Sequence, residues 1–140
     1  MRLSIPWFDS QSVRNLVGRT AYRALGYPDN VTAADFRRIA LSLPGSAEGS
    51  HFNVADFRVG GKIFATLAYE KDGSGVLLLT PEQQAGMIQD APETFLPVPN
   101  KWGQKGSTLV RLAKVKPDIL EGALRLAWNN KQAKNPKHRA

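Results

Sequence analysis

The chain has no cysteine and only two histidines, His51 and His138. Without Cys there is no disulfide framework, no thiolate nucleophile and no Cys-ligated zinc, a composition that suits a reducing cytoplasm. Two widely separated histidines do not make a metal constellation, and no Ser/His/Asp spacing follows a known nucleophile motif. No apolar run approaches the ~20 residues that cross a bilayer, and no apolar stretch has the length of a signal-peptide core. These absences argue against a membrane protein and against an enzyme, and we expect no catalytic residues, no cofactor and no metal. Glu48, His51 and Asp56 are close enough in sequence to be weighed as a site beside the first hairpin. The plainer reading of His51 is a ring that bonds backbone at a strand start.

What is present suits a single globular domain: 140 residues, 42% apolar and 22% charged, enough to bury one core and too few for two. The formal charge is +7, which raises a polyanion partner as a possibility. Its distribution matters more. Residues 1–30 carry net +2, residues 31–130 net +1 and residues 131–140 net +4. Within the middle segment the signs separate: Glu70 to Glu93 holds five acids and one Lys, and Lys101 to Lys116 holds five bases and no acid. That asymmetry is the better argument for nucleic acid.

Val13, Leu16, Val17, Ala21, Ala24 and Leu25 recur at helical spacing with Arg14, Arg19 and Arg23 among the polar positions, which predicts an amphipathic helix over 11–25, broken by GYPDN. An isolated helix of that length is marginal in water, so it is expected to pack loosely. Thr32-x-x-Asp35 then resembles a capping box ahead of the stripe Phe36, Ile39, Ala40, Leu43, which Pro44-Gly45 ends. Strand-like runs follow, with a two-residue turn at Gly60-Gly61 and another break at Asp72-Gly73, giving an antiparallel meander. Thr80-Pro81-Glu82 opens a short helix to about Gln89. FLPVP reads as a Pro-limited edge strand and STLVRLA as its neighbour, with Val110 and Leu112 on one face. Pro117 and Asp118 start a last helix whose pairs Ile119/Leu120, Ala123/Leu124 and Ala127/Trp128 form one wide packing face. The order of helix, strands, helix, two strands and helix is that of an α+β domain. Residues 131–140, polar and basic, have nothing to bury and are expected to be disordered.

HFNVADFRVGGKIFATL, LTPEQQ, WGQKGSTLVRL and ALRLAWNN, in that order, resemble the MmcQ/YjbR-like proteins, small bacterial domains, over about Val31 to Pro136. The resemblance implies an α+β fold with a curved antiparallel sheet, similar in shape to type III secretion chaperones and frataxin. It attaches no catalytic residues. It also implies DNA binding through two wings. One is the Phe57 to Tyr69 hairpin with Arg58 and Lys62, and the other the Trp102 to Leu112 segment with Lys101, Lys105 and Arg111. Many relatives carry an aromatic where this chain has Ser107 after Gly106, and a His-Pro pair near Val54-Ala55. The first difference removes one ring that would stack on a base.

The domain is expected to span 31–130, with 1–30 as an extension and 131–140 as a tail. Valine is what a GTG start codon encodes, so a start at position 31 is one reading of that boundary, and the helical stripe of Val13 to Leu25 argues for the other. Two functions follow: mainly non-specific phosphate contacts to DNA through Arg58, Lys62, Lys101, Trp102, Lys105 and Arg111, or a peptide or protein held on the concave sheet. Trp102 and Trp128 are both expected to be packing residues, and a Trp in a Gly-rich hairpin has base stacking as a second role.

Overall fold

The computed structural model describes residues 31–132, together with Gly18 and Ala21. Apart from Gly18 and Ala21, the expected helix over 11–25 lies outside the described residues, as does the tail beyond Gln132.

Thr32 caps the first helix, α1 (Ala33–Ser42), and its capping box is reciprocal: Asp35 N–H donates to Thr32 Oγ1 at 3.1 Å, and Thr32 N–H to Asp35 Oδ2 at 3.0 Å. Phe36, Ile39 and Ala40 form its buried stripe. Strands β1 (Ser46–His51), β2 (Val54–Val59), β3 (Lys62–Thr66) and β4 (Ser74–Leu78) follow, with one 3-10 turn at Glu70–Asp72 before β4. Gly60 and Gly61 take φ of 60° and 80°, the left-handed values that a two-residue hairpin turn of matching twist requires. Helix α2 (Pro81–Asp90) has its own reciprocal box, Thr80 with Gln83, and Pro81 in its first turn. The chain then runs through β5 (Phe95–Pro97), a four-residue helix α3 (Lys101–Gln104) and β6 (Ser107–Arg111) into α4 (Pro117–Gln132). Helix α4 thus continues through Lys131 and Gln132, two residues past the expected start of the tail.

The six strands are antiparallel neighbours in the order β1-β2-β3-β4-β6-β5. Pro97 sits in the three-residue edge strand β5, as a residue without an N–H must. Helices α1, α2 and α4 pack on one face, where Phe36, Phe57, Phe64, Ala65, Leu77, Val110, Leu120 and Leu124 are fully buried. Strict alternation would send Phe64 and Ala65 to opposite faces. The register between β2 and β3 shifts, pairing Phe57 with Ala65 and Arg58 with Ile63. Phe64 is the extra residue of this bulge, and both it and Ala65 reach the core. Residue alternation directs the other face away from the helices, and no long helix covers it among the described residues. Ile119 departs from the expected packing face of α4: it is 49% exposed, while Leu120, Ala123, Leu124 and Ala127 carry the contact.

Candidate functional site: the open face of the sheet

The uncovered face is apolar at its centre. Val76 on β4 lies opposite Leu109 on β6, Leu109 lies opposite Leu96 on β5, and Val76, Val98 and Leu109 form a buried cluster of their own. Tyr69, Leu78 and Leu96 pack against it half-exposed. Above them opens a cavity of about 400 Å³, walled by Ile63, Tyr69, Val76, Leu78, Val98 and Trp102, with His51, Thr66, Asn100 and Ser107 as its polar lining.

The rim at one end is α3, a helix too short to hold itself. Asn100 Oδ1 accepts from Trp102 N–H at 2.8 Å and so caps it. Gln84, reaching from α2, donates to the carbonyls of Gly103 at 2.9 Å and Ser107 at 3.0 Å, a second donor for each beside the backbone N–H of Gly106 and of Val98. Gly103 and Gly106 are both required by close approach, because a Cβ at Gly103 would strike the Val98 carbonyl oxygen and one at Gly106 that of Leu79. The glycines therefore fold the rim onto the sheet. Trp102 is 60% exposed there, which corrects its assignment as a packing residue. Its ring sits beneath Lys105, whose Nζ lies 5.3 Å from the ring centroid, within cation–π range.

At the other end, the β1–β2 turn places Phe52 and Asn53 at φ of 55° and 63°. Phe52 is 88% exposed, and its ring meets that of His51 edge-on with centroids 4.4 Å apart. The grouping of Glu48, His51 and Asp56 is dispersed. Glu48 accepts from Arg37 Nε at 3.0 Å, and Asp56 accepts from Arg58 Nε at 2.7 Å. His51 ends β1 and does not begin it.

The six residues expected to meet phosphate do not form one surface. Lys101, Trp102 and Lys105 gather on α3 and its cap. Arg58 shares the open face with Ile63, but Asp56, 1% exposed beside it, holds its guanidinium through two hydrogen bonds of 2.7 and 3.2 Å. That hydrogen bond and the carboxylate's charge raise the Arg58 pKa above its ordinary value. Gly49, opposite Asp56 on β1, leaves the space the pair occupies, since a Cβ there would lie 2.8 Å from Arg58 Nε. Lys62 is paired with Val59 and points, with it, to the other side of the hairpin. Arg111 lies on the open face four residues along β6 from Ser107, roughly 13 Å at the rise of a strand.

Tyr69, Leu78, Val98 and Phe52 were not singled out from sequence. A signal for one of them, Leu78, exists in GVLLL: a strand apolar along its length has both faces to bury, and the helices account for only one.

Fold and face can now be set beside known proteins. The YjbR family model matches residues 41–130, well over half of the chain. The chain belongs to the YjbR family. The crystal structure of Deinococcus radiodurans protein DR2400, which carries the DUF419 domain, is similar with a TM-score of 0.63 and 24% identity, over 80% of this chain and 88% of that one. At that identity the likeness is one of fold. No curated protein matches the chain. Within the YjbR family member described here, none of the described helices is long and apolar enough to cross a membrane, and among the described residues no three His, Asp or Glu side chains are grouped as a metal site would need.

Proposed function

We propose that this YjbR-family chain is a non-catalytic binding module that holds a peptide segment of a protein partner on the open face of its sheet. The observation that carries this is the apolar cavity over Val76, Leu78 and Val98. Pockets of a few hundred Å³ with mostly apolar walls and a few polar groups are the usual form of a recognition site. Lys101 and Lys105 beside Trp102 favour an acidic residue next to the apolar anchors of that peptide. The expected reading of DNA binding is favoured by one feature, the same Lys101, Trp102 and Lys105 cluster, which offers charge and a stacking ring together.

A short peptide of alternating Leu and Asp, free of aromatics, distinguishes the two when titrated against the full chain. We expect a blue shift of Trp emission that Trp102→Phe removes and Leu78→Asp weakens at least about tenfold, or ~1.4 kcal/mol. Absence of any response refutes the peptide reading. A labelled duplex in the same assay tests the other. Four phosphate contacts would give a slope of log K against log salt of about −3.6, and Lys101 with Lys105 alone about −1.8. Duplex binding with either slope and no peptide response replaces our reading with DNA.

A further inference from the structure

The two edges of the sheet are built differently. β5 is three residues long and carries Pro97, features that make a free edge unfit for pairing. β1, at the other edge, has six residues, SAEGSH, with no Pro, no Lys and no bulge in its register against β2. Its one carboxylate is already neutralised on the helical side, where Glu48 accepts from Arg37 Nε at 3.0 Å and from Nη2 at 3.2 Å. Ser, Ala and Gly fill most of the remaining positions, so little side chain stands between this backbone and an approaching strand.

The register fixes which backbone groups face outward. The Ala55 carbonyl accepts from Leu67 N–H at 2.9 Å, so Ala55 faces β3, and Ser50 opposite it turns its own N–H and C=O away from β2. By alternation Glu48 does the same. Among the described residues these groups of Glu48 and Ser50 have no backbone partner, and such a row is a template for another strand.

We propose that β1 pairs antiparallel with β1 of a second copy about a two-fold axis at Gly49, joining the two six-stranded sheets edge to edge. A strand that meets its own copy must match itself, and one register does. With Gly49 opposite Gly49 of the second copy, Glu48 lies opposite Ser50 and Ala47 opposite His51, and the outward groups of Glu48 and Ser50 bond to each other. A shift of two residues one way sets Glu48 against Glu48, like charges directly opposed. The same shift the other way moves Glu48 opposite Phe52, beyond the end of the strand. In the matching register Phe52, 88% exposed, stands beside Ser46 of the second copy. Addition of a foreign peptide draws its specificity from pockets beside the edge, and Ala47, Gly49 and Ser50 offer none, whereas self-pairing needs only the register. One short strand a side belongs to the small, transient class of interface, below about 1,200 Å², so the dimer is reversible.

Sedimentation of the full chain, with no peptide added, tests this. The mass is expected to rise toward twice that of one chain between about 1 µM and 1 mM. Ser50→Pro removes an outward N–H and is tolerated in an edge strand. It is expected to weaken association at least about fivefold, through one backbone bond lost from each copy. Because the chain has no Cys, Ala47→Cys combined with His51→Cys reads the register. Across the axis these positions form a non-hydrogen-bonded pair with Cα atoms about 4.5 Å apart, within disulfide reach. Within one chain they are roughly 13 Å apart along the strand. Oxidation is expected to link two copies of the double variant and neither single variant, and this arm decides if Ser50→Pro does not fold. A single-chain mass at every concentration overturns the proposal, as does a dimer that Ser50→Pro leaves intact. A dimer in which the double variant links no better than the single ones overturns it as well.

Discussion

Phe52 is the side chain most at odds with its position. A two-residue turn with both φ values positive is the place for Asn and Gly, whereas a bulky residue there brings Cβ close to the following carbonyl oxygen. With 88% of Phe52 in solvent, burial does not offset that strain, and its one described aromatic contact is with His51. Phe52→Gly is therefore expected to stabilise the protein by about 1 kcal/mol, seen as a rise in the denaturation midpoint. If Phe52 also touches the bound peptide, the same substitution weakens binding while it raises stability. A midpoint that falls would show that the ring supports the hairpin. Strain retained at an exposed aromatic beside a cavity is the pattern expected when a site, and not the fold, requires the residue.

At the scale of elements, α3 shows how a segment without intrinsic helical stability is held. Gly103 lowers its helix propensity, and only four residues are helical. Gln84 on α2 ties both the Gly103 and the Ser107 carbonyls, and with the Asn100 cap holds the rim carrying Trp102. Gln84→Ala is expected to cost roughly 1–2 kcal/mol, the net worth of two neutral hydrogen bonds whose carbonyls each keep a backbone donor, and to quicken amide exchange over 101–106 while the remaining elements keep theirs. Equal loss of protection everywhere would mean that Gln84 supports the fold as a whole. The capping box of α1 was legible from Thr32-x-x-Asp35 and the start of α2 from Thr80-Pro81, because a helix start depends on residues within one turn. The two bonds of Gln84 were not, since they join residues 19 and 23 positions apart.

At the scale of the molecule, two polar ties close the helical layer over the sheet. Trp128 Nε1 donates to the Pro44 carbonyl at 2.9 Å, across 84 positions of sequence, and the Gln83 and Asn130 amides bond reciprocally at 2.8 and 3.2 Å. Trp128 is half-buried against the core. Trp128→Ala removes its apolar contact and the bond to the α1–β1 corner together, and is expected to cost about 3 kcal/mol, toward the lower end for aromatic truncation because the ring is only partly enclosed. An unchanged midpoint in urea would show that the last helix does not depend on this contact.

The amino-acid sequence by itself determined the α+β class, the order of the elements, both capped helices, the Gly-Gly hairpin and the Pro-bearing edge strand. Each follows from periodicity, capping or turn chemistry within a few residues. Only the tertiary structure decided which charges are available. Asp56 occupies Arg58, the β2–β3 pairing turns Lys62 to the far side, and strand length separates Arg111 from Lys101 and Lys105. Among the described residues an apolar face and an apolar groove between α2 and α4 stand open where sequence patterning had drawn attention to basic wings. The physical reason is range. Periodicity records which positions avoid water, but whether a cation is paired, or an apolar face covered, depends on side chains that folding brings together from distant parts of the chain.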